Sequence, residues 1–260
     1  MNQESAIPKR FFDLSGYDLS SVGKLREALQ QGADFYMGWV NSVERDLPLP
    51  AEDVEVVRSY VGHEDSGIRA VLAKMLAQEG SITWEDLEAW LMDPDINVRE
   101  ETAFALSMSF FSAGSLCRTD KKRCAHLLAA SAERYHSLSV EAWSLSRDDD
   151  EWLDAFWPEV ERLLDLGDED LYYNIVCGFL EDVLRYRHFG PDDPHIKPWI
   201  ESCSVERKMA LLGVAGWLGI NDPKLHGIAD ALVHDDSAEV SNTAKAILAT
   251  PQSEYRGPRH

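Results

Sequence analysis

Two stretches of the sequence, DSGIRAVLAKML at residues 65–76 and DINVREETAFAL at residues 95–106, share one pattern. Each begins with an Asp, has an aliphatic residue three positions later, and has an Arg directly after that. Apolar residues then recur at the spacing of one face of an α-helix. Asp is a residue type that caps helices, and its pairing with an Arg four residues later stabilises the helix by roughly a few tenths of a kcal/mol. The pattern therefore predicts two similar helices, each capped by its Asp.

A third copy of the pattern, SAEVSNTAKAIL, occupies residues 237–248, with Ser241 in the position of the Arg. A looser copy begins at Ser204, and an acidic turn precedes each of the three clear copies. Repetition of one helical unit indicates an architecture of stacked repeats. The aliphatic positions that we expect to be buried are Ile68, Leu76, Val98, Leu106, Val240 and Leu248.

These copies resemble the HEAT-repeat family, in whose short bacterial-type units a D-x-x-V-R element opens the second helix of each helical pair. The resemblance covers residues 51–112 best, 222–250 less fully and 113–221 only faintly. It implies a right-handed α-solenoid of stacked antiparallel helical pairs. Elementary packing agrees, because an isolated helical pair cannot bury its apolar stripe and has to stack on another pair.

Helical spacing also dominates the rest of the chain. Turn residues recur about every 12–25 positions, which is the length of one helix and its turn. The sequence therefore predicts an all-α fold. We expect an N-terminal extension over residues 1–21, a single HEAT-like α-solenoid domain over 22–250 and a flexible C-terminal tail over 251–260.

The chain of 260 residues is strongly acidic, with 25 Lys and Arg against 46 Asp and Glu and a net charge of −21. Such a charge repels phosphate backbones and anionic lipid surfaces, so neither nucleic acid nor a membrane is an expected partner. It attracts a protein with a basic surface, although solubility alone is an equally open explanation of the charge. A small basic patch that can dock against acidic parts of the same chain consists of Arg118, Lys121, Lys122, Arg123 and Arg134.

The sequence lacks the common motifs of catalytic, metal-binding and phosphate-binding sites. It contains no C-x-x-C pair, no H-E-x-x-H motif, no glycine-rich phosphate loop and no catalytic Ser or Cys signature. The segment from Asp93 to Asn97 begins like a calcium-binding loop, but Val98 stands where a Gly is needed and Phe104 where a Glu is needed. We therefore predict no metal, no cofactor and no catalytic residue, and a protein that is not an enzyme.

The N-terminal segment and the length of the apolar runs predict the cellular compartment. The chain starts with a polar segment and lacks the apolar stretch of a secretory signal. No run approaches the roughly 20 apolar residues that a membrane-spanning helix needs. We expect a cytoplasmic protein whose four cysteines are reduced.

Residues 147–193 concentrate the negative charge, with 15 acidic residues against four Arg. Large aromatic residues alternate with them, and aromatic residues beside charges are typical of protein-binding hot spots. The predicted partner-binding residues are Asp148, Asp149, Asp150, Glu151, Trp152, Asp154, Trp157, Asp168, Glu169 and Asp170. In the alternative interpretation, Trp152, Phe156 and Val160 form one buried helix face and the carboxylates are only solvated.

These features favour a non-enzymatic binding protein whose acidic surface recognises a basic partner, either a toxin or a client protein. In its most specific form the hypothesis is a bacterial immunity protein, or antitoxin, that neutralises a basic secreted toxin such as a nuclease. One alternative is an enzyme on a HEAT-like fold, similar to a chromophore lyase or a DNA glycosylase, and another is a general assembly scaffold. A DNA glycosylase of this fold would need a basic groove, which is opposite to the charge balance here.

The predicted register of the repeats can be tested at Leu106. Replacement by Ala is expected to lower the free energy of unfolding by ~2–5 kcal/mol, because it removes buried methyl groups and leaves a cavity. Urea-induced unfolding followed by circular dichroism measures this loss. A loss below about 1 kcal/mol would show that Leu106 is not a core position and that the register is wrong.

Overall fold

The computed structural model describes residues 11–12, 14–16, 21–43, 50–79, 82–107, 112–136, 149–219 and 222–250. Within these ranges all regular structure is helical and no strand occurs, which confirms the all-α prediction. A short 3₁₀ turn spans Leu14–Gly16, and a π-helical segment spans Ile175–Leu180. The α-helices are α1 (Val22–Val43), α2 (Ala51–Tyr60), α3 (Ser66–Glu79), α4 (Trp84–Leu91), α5 (Ile96–Ser107), α6 (Ser112–Thr119), α7 (Lys121–Tyr135), α8 (Asp150–Leu164), α9 (Glu169–Asn174), α10 (Glu181–Arg187), α11 (Lys197–Glu201), α12 (Val205–Leu218), α13 (Pro223–Ala231) and α14 (Ala238–Ala249).

The chain divides into two compact units, Met1–Asp120 and Lys121–His260. The first unit contains α1–α6 and the second contains α7–α14. The single domain expected over 22–250 stays a prediction, and the expected tail over 251–260 lies outside the described residues. Among the helices that the structure describes, none combines the length and the apolar character needed to cross a membrane.

In the first unit, α1, α3 and α5 pack in a row in chain order. Helix α2 packs on α3, and α4 packs on α5, so each of these two pairs contributes its second helix to the row. The predicted core positions of both copies, Ile68, Leu76, Val98 and Leu106, are fully buried. The two repeat copies of this unit therefore have the register that the sequence predicts.

Two residues of the expected N-terminal extension belong to the core of the first unit. Phe11 and Phe12 are buried, and their backbone N–H groups donate to the buried carboxylate of Asp53 at 2.8 and 3.0 Å. The ring of Phe12 lies against Gly32 of α1 so closely that a Cβ atom at position 32 would stand 2.6 Å from it. The chain before α1 is thus attached to this unit by both packing and hydrogen bonds.

The repeat turns are capped as the sequence predicts. Asp65 accepts a hydrogen bond from the backbone N–H of Ile68 at 3.0 Å, and Asp95 accepts one from the N–H of Asn97 at 2.9 Å. Asp93 in turn accepts from the N–H of Asp95 at 2.9 Å, so the segment that begins like a calcium loop is a helix-capping turn.

The arginine of the first copy has a different acidic partner from the expected one. Arg69 does not pair with the capping Asp of its own helix; its Nε and Nη2 atoms donate to Asp93 in the next turn, at 2.7 and 2.9 Å. Its Nη1 atom also donates to the carbonyl groups five and six residues before it, both at 2.9 Å. Arg99 donates to the corresponding two carbonyl groups at 3.1 and 2.8 Å. The arginine therefore fastens the turn that precedes its own helix, and Arg69 also fastens the following turn.

In the second unit, α12 packs on α10, α11, α13, α14 and the π-helical segment, and its first turn shares two of these contacts. Ser204 caps α12 by accepting from the N–H of Arg207 at 3.3 Å. Lys208 stands four residues after that cap, in the position of the repeat arginine, and its Nζ atom contacts the carboxylate of Asp235 at 2.5 Å. Asp235 lies two residues before the next cap, Ser237, just as Asp93 lies two residues before its cap.

The last copy is the least regular. Ser241, in the arginine position, donates its hydroxyl to the carbonyl of Val233 at 2.5 Å. Val240 is buried as predicted, whereas Leu248 is only half-buried. One end of the predicted stripe in α14 therefore lies at the edge of the core.

Capping and ion pairing shift the acidity of the turn carboxylates. Hydrogen bonding by Arg26 holds the pKa of Asp65 below its usual value of 3.8. A hydrogen bond from the Ser66 hydroxyl, together with the capped backbone, lowers the pKa of Asp95. A carboxylate whose pKa is lower in the folded than in the unfolded state stabilises the fold above the unfolded pKa and loses that contribution as the pH falls through the folded pKa.

The free energy of unfolding is therefore expected to fall as the pH is lowered from about 5 to about 3. Urea-induced unfolding at both pH values measures the effect. The matched variant is Asp95→Asn, since Asn also caps helices but does not titrate; its acid-induced loss should be smaller than that of the unmodified protein. Equal losses in the two proteins would contradict the assignment of acid sensitivity to this cap.

Candidate functional site

The structure describes nine of the ten predicted partner-binding residues, and Asp148 lies outside the described ranges. Two of the nine are helix caps. Asp149 accepts from the backbone N–H of Trp152 at 3.1 Å and begins α8, and Asp168 accepts from the N–H of Leu171 at 2.9 Å and begins α9. Carboxylates at these positions also interact favourably with the helix dipole, so part of the acidic stretch has a structural role.

The two predicted tryptophans are buried. Trp152 and Phe156 stack at 5.4 Å between ring centres, and both are buried with Val160 on one face of α8. Trp157 is also buried and lies 4.9 Å from the ring of Trp199. Trp152 and Phe156 occupy the positions that the alternative interpretation assigns to the core, and Trp157, which that interpretation does not include, is buried as well.

Positively charged and imidazole side chains rest on aromatic rings near the start of α8. The Nζ atom of Lys121 lies 6.0 Å from the ring centre of Trp152, and the guanidinium of Arg187 lies 6.0 Å from that of Phe189. The His195 ring stacks parallel to Phe189 at 5.7 Å. At these distances a cation is attracted by the electron-rich face of the ring. The buried Trp152 and the half-buried Phe189 therefore lie beneath a layer of basic side chains.

Carboxylates form the outermost layer. The pairs are Lys121 with Asp149 and Glu151 at 2.8 and 2.7 Å, Arg187 with Asp150, and His195 with Asp154 at 3.0 Å. The basic side chains are only 16, 12 and 21% exposed, for Lys121, Arg187 and His195. Their partners Glu151, Asp150 and Asp154 are 82, 89 and 68% exposed. We call Asp149, Asp150, Glu151 and Asp154 the acidic surface, because the carboxylates of the last three are far more exposed than the bases that they contact and Asp149 lies beside them.

The acidic surface keeps a negative charge in spite of these pairs. Asp193 adds a fifth carboxylate, 3.3 Å from Nδ1 of His195. Five carboxylates thus face two permanent cations, Lys121 and Arg187, which leaves three negative charges when the histidine is neutral. A basic partner would meet the exposed carboxylates before it met the cations beneath them.

Asp149 and its partner Lys121 are both ionised near neutral pH. Burial alone would raise the pKa of Asp149, but hydrogen bonds from Lys121 and from the backbone N–H of Trp152 hold it below its usual range. Burial would likewise lower the pKa of Lys121, and its bonds to Asp149 and Glu151 outweigh that effect and raise it.

The second predicted acidic cluster is separate. Asp168 accepts from the N–H of Leu171, which with the nearby His136, 2.7 Å away, lowers the pKa of Asp168. Glu169 and Asp170 are exposed. This cluster follows the C-terminal end of α8, whereas the acidic surface lies at its N-terminal end, roughly 20 Å away along the helix axis. The nine described residues therefore lie in two separate groups, one at each end of α8.

Some residues of the acidic surface were predictable and others were not. The expected docking of the basic patch against acidic residues of the same chain is confirmed for Lys121. Arg187, Phe189 and His195 carry no sequence signal that places them beside α8, because Arg187 ends α10 and the other two lie in the loop that follows it. In the part of the chain that the structure describes, no group of three or more His, Cys, Asp or Glu side chains is arranged to hold a metal ion.

A comparison with family models, with curated proteins and with solved structures finds no match to this chain. Function is therefore inferred from the geometry of the chain's own residues. The main feature of that geometry is the layered order of aromatic ring, basic side chain and exposed carboxylate near the start of α8.

The role of Lys121 in this order can be tested by NMR titration of side-chain carboxyl groups. In the Lys121→Met variant the pKa of Asp149 is expected to rise, because the hydrogen bond and the charge that lower it are lost. Lys122→Met is the matched control, since it removes the same charge from an adjacent exposed position. A similar rise in both variants would show that overall charge, and not the contact with Lys121, determines the acidity of Asp149.

Proposed function

We propose that the protein binds a basic protein partner through the acidic surface and performs no chemistry of its own. The observation that carries this proposal is the outward position of the carboxylates of Asp150, Glu151 and Asp154 above a less exposed basic layer. A site for chemistry would instead place reactive groups in a water-excluding pocket. The arrangement fits recognition by charge.

Preorganisation supports the same proposal. Exposed side chains usually lose rotamer freedom when a partner binds, at a cost of about 0.5–1.5 kcal/mol each. Lys121, Arg187 and His195 hold the carboxylates in place before binding, so less freedom remains to be lost. Outward negative charge also accelerates the diffusional encounter with a positively charged protein.

The most specific form of the proposal is an immunity protein that neutralises a cationic secreted toxin, such as a nuclease. It is supported by the net charge of −21 and by the modest length of 260 residues. Such a role requires fast capture of the toxin, and electrostatic attraction favours fast association.

The proposed scaffold is a HEAT-like, right-handed α-solenoid. Its support is the recurrence of one turn geometry: a capping residue, a cation four residues later, and a carboxylate two residues before the next cap. Arg69 with Asp93 and Lys208 with Asp235 share this geometry. The row of α1, α3 and α5 in the first unit is the packing that stacked helical pairs would produce.

The test of function is a pull-down from a lysate of the source organism at low and at moderate salt, with bound proteins identified by mass spectrometry. The unmodified protein is compared with the variant Asp150→Asn, Glu151→Gln, Asp154→Asn. We expect one stoichiometric basic partner; its association with the variant, followed by stopped-flow fluorescence with the purified partner, should be about tenfold or more slower at low salt, because electrostatic steering is reduced.

The matched control changes the same amount of charge in the first unit, at the exposed residues Glu55, Glu64 and Glu88, each replaced by Gln. It should retain most of the association rate. Failure to capture any basic partner, or equal binding by the two triple variants, would contradict recognition through the acidic surface.

A further inference from the structure

A cleft of about 250 Å³ opens in the first unit where α1, α3 and α5 meet. Its apolar lining consists of Ala33, Ala70, Val71 and Met75, of which Ala33 and Met75 are buried. Its polar lining consists of Gln30, Asp34, Lys74 and Glu101. A cleft that combines an apolar wall with charged groups suits a ligand that has both an apolar and a charged part.

The charges of the cleft do not balance. Lys74 pairs with Glu101 at 3.2 Å, and Asp34 accepts a hydrogen bond from the neutral amide of Gln30 at 2.8 Å. Among the described residues no cation lies within ion-pair distance of Asp34. Two carboxylates therefore face one ammonium group, and the cleft carries one excess negative charge.

An incoming cation can displace Lys74 from its ion pair with Glu101. Both partners are partly exposed, 42% for Lys74 and 36% for Glu101. Exposed pairs of this kind contribute about 0–1 kcal/mol, because water screens them and both side chains remain mobile. Lys74 can therefore turn toward solvent while Glu101 accepts another partner.

We infer that this cleft binds an arginine side chain presented by a partner protein. The aliphatic part of the arginine would lie against Val71, next to the buried Met75, as the stems of long basic side chains do on apolar surfaces. Its planar guanidinium carries five donors and can bond Asp34 and Glu101 together. A neutral apolar side chain would instead remove Asp34 from water without replacing its hydrogen bonds, which is unfavourable.

This inference does not depend on the acidic surface, because the cleft belongs to the first unit and the acidic surface to the second. Loss of arginine binding in the cleft would leave the proposed role of α8 untouched. Failure of the triple α8 variant to lose its partner would likewise leave the cleft untouched.

The test is an NMR titration of the full chain with methyl-labelled methionine, in which the Met75 signal is assigned from Met75→Leu. The probe is N-acetyl-arginine amide, and its neutral isostere N-acetyl-citrulline amide is the control ligand. We expect a saturable shift of the Met75 methyl signal with the arginine probe and about fivefold or more weaker binding of the citrulline probe, since charge-assisted hydrogen bonds are the stronger ones.

Two variants give opposite expectations. Asp34→Asn should weaken binding of the arginine probe, because it removes the unpaired carboxylate. Lys74→Met should tighten it, because it removes the competing ammonium group and releases Glu101. Glu55→Gln, on the exposed face of α2, changes the same charge as Asp34→Asn outside the cleft and should have little effect. Circular dichroism confirms that each variant is folded.

Three results would overturn the inference. The first is the absence of a saturable shift at Met75, and the second is equal binding of the arginine and citrulline probes. The third is a loss of binding in Glu55→Gln as large as in Asp34→Asn, which would show a response to overall charge alone.

Discussion

The repeats depend on a cation that stands one turn inside a helix and fastens the backbone around it. Turns between helices leave carbonyl groups without helical partners, and such groups need donors when they are partly buried. Arg69 supplies donors to two carbonyls of its own preceding turn and to Asp93 of the next turn at once. Only a guanidinium has enough donors in a fixed fork for both tasks. Lys208 in the second unit keeps the contact to the next turn through a single ammonium group.

A single cation also makes several contacts above the buried aromatic residues of α8. Trp152 offers its face to Lys121, which holds the carboxylates of Asp149 and Glu151. Ion pairs this exposed add little to the free energy of unfolding. Their main effect is on position: they decide where negative charge stands before any partner arrives. A tryptophan beside acidic residues can therefore be buried and still influence the surface, because its ring contacts the cation that holds the carboxylates.

Prediction from sequence was reliable where the cause is local. The caps at Asp65 and Asp95 and the burial of Ile68 and Val98 follow from residue type and helical spacing within one helix. The partner of Arg69 was missed because it lies 24 residues away, and several carboxylates satisfy the same pattern. The two interpretations of the acidic stretch could not be separated for a similar reason. Periodicity places an aromatic residue on a face but does not say what covers that face.

The fit of Phe12 against Gly32 couples two distant positions of the chain. A Cβ at position 32 would stand 2.6 Å from the Phe12 ring and 3.1 Å from the carbonyl oxygen of Phe11, so a side chain there requires both a smaller residue at position 12 and a small shift of the backbone before it. The fit also limits how the protein can be shortened. A fragment that starts at α1 would lose the Phe11 and Phe12 amides that satisfy the buried Asp53, and would expose a bare strip of helix beside Gly32. A shortened chain that keeps the first unit intact has to include the two phenylalanines, and a fusion partner is best joined ahead of them.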